Sequence, residues 1–251
     1  VAPEQQLVVE ITGTLTNVGT TVNSANVRIL DAQGMDVTCN YDLSQRLGEL
    51  KVLPRPLTLS SDSAEKVYDD NVLSNNNYEV IGEYDIVDGH IVVCESSTSI
   101  IDVDEVENAL VLSIKNAEGE DKTSNYSLFY ERGTLKVTPR PVTISTLSGE
   151  WVYDNQEHYT DAPAISGICP NQHISAETSS IIDAGTVENM VTIKSIRTAN
   201  GRDVLANYEL IYENIGTLTV TKRPITIVNE NSPANLVYHG TERMFTNYKI
   251  T

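Results

Sequence analysis

The chain has 251 residues, with 17 Lys and Arg against 35 Asp and Glu, for a formal net charge of -18. At roughly 100 to 200 residues per domain this suggests one to three domains. With only 21% of residues charged and Ile, Val and Leu spread throughout, the composition is that of a folding chain and not of a disordered acidic tail. The excess of acid excludes nucleic-acid and anionic-membrane partners, which require clustered Lys and Arg.

No run of about 18 apolar residues offers a transmembrane helix. The start, Val1-Ala2-Pro3, has neither a basic nor an apolar leader region, so any secretion or anchoring signal is expected outside these residues. Cys39, Cys94 and Cys169 are odd in number and widely spaced. They fit neither a zinc site nor a disulfide framework and are expected to be small buried thiols.

Along the chain, a set of marks returns in fixed order. Asn40-Tyr41-Asp42-Leu43 recurs as Asn125-Tyr126-Ser127-Leu128 and Asn207-Tyr208-Glu209-Leu210. Gly48-Glu49-Leu50-Lys51-Val52 recurs from Gly133 and from Gly216, and Pro54-Arg55-Pro56-Leu57-Thr58-Leu59 recurs from Pro139 and from Lys222. Val67-Tyr68-Asp69 is followed by Val152-Tyr153-Asp154 and Val237-Tyr238-His239. The period is 82 to 85 residues, too long for a solenoid turn and right for a small β domain.

Within one period the predicted elements are all strands: Glu79–Tyr84, Ile91–Cys94, Ala109–Ile114, Tyr126–Tyr130 and Thr134–Val137, followed in the next by Val142–Ile144 and Trp151–Tyr153. Each is short and rich in β-branched residues or tyrosine. Asp88-Gly89, Ala117-Glu118-Gly119, Arg132-Gly133 and Asn200-Gly201 are the turns between strands. No window carries a helical apolar stripe. Six or seven short strands in about 83 residues predict an all-β fold of tandem small β-sandwich (Ig-like) modules in an elongated array. The recurring Asn-Tyr, a phenol near the start of a penultimate strand, resembles a tyrosine corner.

These marks carry a family resemblance. A unit opening on Pro139 to Ile144, continuing through Val152-Tyr153-Asp154 and closing on Asn207-Tyr208 and Gly216 to Thr221 resembles the YDG/MBG-type repeats of bacterial surface proteins, with Asp183-Ala184-Gly185-Thr186 and Asp203-Val204 as weaker marks. The match covers nearly the whole chain, and its specificity lies in the order of several marks. Two copies depart from it, with Asp70 and Asn155 where a Gly is expected after Val-Tyr-Asp, and the third reads Val237-Tyr238-His239-Gly240. The resemblance implies tandem extracellular modules of secreted, wall-associated, adhesin-like proteins with no catalysis to carry over.

Site chemistry is sparse. The four histidines, His90, His158, His173 and His239, have no accompanying nucleophile motif, and His90 and His173 are read as turn residues. No phosphate loop or zinc pair occurs, so the protein is expected not to be an enzyme. Asp102, Asp104 and Glu107, in Asp102-Val103-Asp104-Glu105-Val106-Glu107, are the candidate calcium ligands. A solvated acidic turn with no cofactor is the preferred reading, because the equivalent segments Thr16–Gly19 and Asp183–Thr186 lack the cluster. Acid is concentrated in residues 57–141, which carry a charge of -11 against -5 for 142–224. Lys66 is the only lysine at its repeat position, beside Glu150-Trp151 and Asn235-Leu236 in the other copies, so a shared Lys–Asn cross-link is not expected and an exposed lysine is.

The expected organisation is a partial module at 1–56, complete modules at 57–141 and 142–224, and opening strands of another at 225–251. Closely spaced Pro residues between modules predict a semi-rigid array. Three arrangements of the partial modules are expected alternatives: the C-terminal strands of one molecule complete the N-terminal module of another, the ends pair otherwise, or the boundary falls near Asp88-Gly89 and makes three permuted units. The functional expectation is a non-enzymatic stalk or adhesin segment at the bacterial cell surface, with neighbouring modules as partners. The alternative is a module gripping host glycan or protein through loops at one end of the sandwich, for which an exposed aromatic such as Trp151 would serve.

Overall fold

The computed structural model describes residues 1–229, 237–243 and 248–251. Asn235 and Leu236, the counterparts of the Lys66 position, lie outside the described residues. The chain forms two compact units, one of Val1–Lys66 with Asn71–Val137 and the other of Val67–Asp70 with Thr138–Thr251. The fold is all-β, and among the described residues the only helical elements are the 3-10 turns Thr38–Asn40, Thr123–Asn125 and Leu205–Asn207. Each sits immediately before a recurring tyrosine.

The first unit opens with β1 (Gln6–Ile11), β2 (Gly19–Val22), β3 (Ala25–Leu30) and β4 (Glu49–Val52). β1 pairs antiparallel with β3, and β2 with β4. There follow β5 (Arg55–Ser61), β6 (Ala64–Val67), β7 (Leu73–Ser74), β8 (Tyr78–Ile81), β9 (Ile91–Ser97), β10 (Ser99–Ile100), β11 (Asp104–Glu107), β12 (Leu110–Lys115), β13 (Tyr126–Glu131) and β14 (Thr134–Thr138). One three-stranded sheet has the order β13-β5-β8 and another β11-β14-β6, while β12 pairs with β9 and β10 with β7.

Alternation explains why these residues make strands. Along β5, Leu57 and Leu59 point inward onto Leu112, Ile114 and Tyr126, with Val80, Val92 and Leu128 closing the cluster. Burying each such side chain contributes about 2 kcal/mol. The β5–β13 pairing is parallel, Arg55 opposite Tyr126 through Ser60 opposite Glu131, a direction that alternation alone does not reveal. On its other side β5 meets β8 only from Thr58 to Ser61. The stretch carrying Pro56 thus has one neighbouring strand, where the missing amide is tolerated.

The second unit repeats this plan. Its strands are β15 (Arg140–Ser145), β16 (Gly149–Val152), β17 (Ala164–Ser166), β18 (His173–Thr178), β19 (Gly185–Glu188), β20 (Val191–Arg197), β21 (Tyr208–Tyr212), β22 (Thr217–Thr221), β23 (Ile227–Asn229) and β24 (Tyr248–Ile250). Sheets of order β17-β15-β21 and β16-β22-β19 match the two three-stranded sheets of the first unit, and β18 pairs with β20 as β9 does with β12. Both of these antiparallel pairs carry a register shift, at Val111/Leu112 and at Ser175/Ala176. Among the described residues β23 pairs with β24.

Most strand expectations hold to within a few residues. Glu79–Tyr84 is cut short at Ile81, because Gly82 turns the backbone to a φ of 101°. The acidic segment differs from expectation: Asp104–Glu107 is strand β11 and not a turn, held by pairing to Thr134–Val137. His173 likewise lies in a strand, whereas His90 precedes one. Lys66 is half-buried on β6 and donates to the Asn71 carbonyl at 2.7 Å.

The position after Val-Tyr-Asp has one backbone conformation in all three copies. Asp70, Asn155 and Gly240 have φ of 63°, 64° and 69°, the left-handed region that Gly enters freely and Asn and Asp tolerate best among the other residues. The departures from Gly at this turn therefore leave its shape unchanged.

Candidate functional site: a recurring tyrosine clasp

Tyr41, Tyr126 and Tyr208 each close the same long-range hydrogen-bond pattern. The Tyr208 hydroxyl accepts from the Cys169 amide at 3.1 Å and donates to Gln172 Oε1 at 2.6 Å. That of Tyr126 accepts from the Val87 amide at 3.2 Å and lies 2.7 Å from His90 Nδ1. That of Tyr41 accepts from the Ala2 amide at 2.9 Å and donates to Gln5 Oε1 at 2.6 Å. In every case the backbone partner lies 39 residues upstream and the side-chain partner 36. At Tyr126 and Tyr208 the preceding 3-10 turn and the strand that the tyrosine opens fix the ring, so the phenol pins a distant loop to the sheet.

In the second unit the clasp holds a further tyrosine. Tyr68 is fully buried and meets Tyr208 edge-on, with ring centroids 5.4 Å apart. Its hydroxyl accepts from Gln172 Nε2 at 3.2 Å and donates to Asp70 Oδ1 at 3.0 Å. Its backbone amide bonds the Thr138 carbonyl at 2.9 Å, and Arg140 Nη1 reaches its carbonyl at 3.4 Å. Arg202 pairs with Asp70 at 3.0 Å. Both phenols are held above the ordinary tyrosine pKa, chiefly because burial disfavours the phenolate.

In the first unit the same clasp borders an open cleft of about 470 Å³, lined by Val18, Leu53, Arg55, Val87, His90 and Tyr126 among others. Arg55 donates to the Asp85 carbonyl at 2.7 Å, as Arg140 does to that of Gly167 at 2.6 Å. Asn125 secures one wall, its Oδ1 accepting from the Val18 amide at 2.8 Å and its Nδ2 donating to Asn17 at 3.0 Å.

The sequence-based candidates are not gathered in this way. Asp104 and Glu107 stand three residues apart on β11 and so face opposite sides of the strand. Glu107 is paired with Arg132 at 2.8 Å and Glu105 with Lys136 at 3.5 Å, while Asp104 caps the Glu105 amide at 2.8 Å. Asp102 is exposed just before the strand. Among the described residues no three His, Cys, Asp or Glu side chains converge as a metal ion would require.

Trp151 is half-buried on β16 and stacks on His158 at 4.8 Å, and it covers Gly149 so closely that a Cβ there would clash with the indole. His158 in turn meets Asp154 at 2.9 Å. Cys169 is buried and Cys94 half-buried, but Cys39, expected inside, is exposed because its 3-10 turn has no buried residue; none is bridged. No helix among the described residues is long and apolar enough to cross a membrane.

The recurring Asn-Tyr is legible in the sequence as a tyrosine-corner phenol, but the loop it pins, 39 residues upstream, carries no shared residue that marks it. Val-Tyr-Asp and Asn-Tyr recur in step, which signals two tyrosines under the same constraint, but nothing local says that they touch. No family model, no curated protein and no solved structure matches this chain.

Proposed function

We propose that this chain is a non-enzymatic stalk segment of a bacterial cell-surface, adhesin-like protein, built from tandem small β-sandwich modules and projecting other parts outward. The observation that carries this reading is the burial of Tyr68. The segment Val67–Asp70 leaves the first compact unit after Lys66 and returns at Asn71, and between those points Tyr68 is packed against Tyr208 with its phenol fully hydrogen-bonded. A buried tyrosine held by both ring packing and hydrogen bonds gives the second unit the stable interior that a structural module needs.

The ordered sequence marks of the YDG/MBG type, running from Pro54 to Gly240, support the family and the extracellular setting. The division into 1–56, 57–141, 142–224 and 225–251 follows from the same marks. Asp102, Asp104 and Glu107 serve in this reading as surface acids that keep the segment soluble. Probing host glycan and mucin arrays with the 251-residue chain tests the reading against a binding role. No saturable binding is expected, and binding lost on substitution of a loop residue would overturn it.

A further inference from the structure

We propose that the second unit selects by charge the segment it holds against Tyr208. Arg202 is the residue that reads an acid two positions after the docked tyrosine, and the segment that this groove fits is Tyr-x-Asp. The selectivity does not depend on the cell-surface reading.

Most of the groove is indifferent to side chains other than the tyrosine. Arg140 binds carbonyls, that of Gly167 at 2.6 Å and that of Tyr68 at 3.4 Å. The Thr138 carbonyl takes the Tyr68 amide, Gln172 meets the phenol, and Tyr208 packs on the ring. These contacts suit the Val-Tyr of any copy equally. Discrimination therefore needs a side chain beyond the tyrosine.

Two positions supply it, and each sits on a backbone frame common to the three copies. On the segment, Asp70, Asn155 and Gly240 share one left-handed turn, with φ of 63°, 64° and 69°. The frame is constant, while the side chain is an acid, an amide or absent. On the groove, Arg202 closes a turn in which the Thr198 amide donates to the Arg202 carbonyl at 3.0 Å and the Arg202 amide donates to Thr198 Oγ1 at 3.1 Å. The same two bonds close Asn116–Glu120, at 3.1 and 2.8 Å, and Asp31–Met35, at 2.9 and 2.8 Å. One backbone position thus presents a cation in Arg202, an anion in Glu120 and neither in Met35.

Within the second unit the two variable positions meet, and their charges are opposite. Arg202 Nη2 lies 3.0 Å from Asp70 Oδ1, the same atom that accepts the Tyr68 hydroxyl at 3.0 Å. The buried tyrosine thereby fixes the carboxylate that Arg202 reads. Their side chains are 39% and 30% exposed, so the pair adds little stability. Its consequence is preference, because a like charge in that place repels at the same short range. Glu120 is itself paired with Lys122 at 2.8 Å. Val204 stands at the place of Lys122 in the second unit, so a Glu at 202 would not have that partner.

Hydrogen exchange at the Tyr68 amide of the full chain reads how often the segment opens. Asp70→Asn keeps the turn and an acceptor for the phenol, as Asn155 does for Tyr153 at 3.2 Å, and removes the charge. With Arg202 present it should speed exchange about threefold. In an Arg202→Glu background, where Asp70 faces a second carboxylate, the same Asp70→Asn change should slow exchange by a similar factor. In Arg202→Met it should do neither, and added salt should shrink both effects. β15 and β21 should exchange alike in every variant, since the substitutions lie at the surface. A purely structural role for Asp70 in its turn cannot reverse sign with residue 202. An Asp70→Asn effect of one sign and size in all three backgrounds, or no effect in any, would overturn the proposal.

Discussion

The Cys169 amide and the Tyr208 hydroxyl, 39 residues apart, are joined by a hydrogen bond of 3.1 Å. The same bond at the same separation links Val87 to Tyr126 and Ala2 to Tyr41. Around the conserved spacing the side-chain partner varies, Gln172 in one copy, His90 in another and Gln5 in the third. The bond needs only an amide from the pinned loop, which leaves that loop free in sequence but not in position.

Tyr208→Phe should therefore cost about 1–3 kcal/mol of stability in the second unit, because the Cys169 amide is left buried without an acceptor. Denaturant unfolding followed by the fluorescence of Trp151, the only tryptophan, reads this unit. An unchanged midpoint would mean that the hydroxyl does not hold the loop.

Tyr68→Ala removes a fully buried ring and should destabilise the second unit by about 3–5 kcal/mol, the range for large-to-small changes at buried aromatics. Tyr68→Phe should cost less, since only the bonds to Gln172 and Asp70 are lost. Equal effects of the two would show that the ring contributes little.

Alkaline pH should act on the same pair. Burial raises the Tyr208 phenol, and also that of Tyr68, above the reference value of 10.0. The folded state then keeps protons that the unfolded state releases. Their contribution is fully present below pH 10 and falls away as pH rises through 10 toward the folded-state values. A Tyr208→Phe chain should lose stability less steeply in that range, as measured by midpoint against pH; parallel curves would contradict this.

Thiol labelling should follow burial. Cys39 is exposed, Cys94 half-buried and Cys169 buried. Intact-mass analysis without reductant should show one rapid label on the folded chain and three after unfolding. Fewer than three would reveal a disulfide.

Millimolar calcium should leave the melting temperature in place, because Glu107 is turned away from Asp104 and engaged with Arg132. A rise of many degrees that Asp104→Ala removes would establish a site, since a ligand of the folded state stabilises it by mass action.

Strand identity was legible wherever alternation put apolar residues on one face, as at Leu57 and Leu59 or Leu135 and Val137. Pairing direction was not, because Arg55–Ser60 reads the same whether Tyr126–Glu131 runs with it or against it. The acidic run reads as a turn, because four acids in six residues look solvated. Its pairing with Thr134–Val137, with Lys136 and Arg132 beside Glu105 and Glu107, is a long-range fact. Tyr68 and Tyr208 were each marked by recurrence, but their contact spans 140 residues of sequence, and no local pattern encodes it.

Hydrogen exchange at the Tyr68 amide tests the central claim most directly, because that amide bonds the Thr138 carbonyl inside the second unit. If Tyr68 is a core residue of the second unit, a peptide spanning 67–70 should exchange as slowly as β15 and β21 and open only when that unit unfolds. Exchange within seconds, at the rate of exposed loops, would contradict the account.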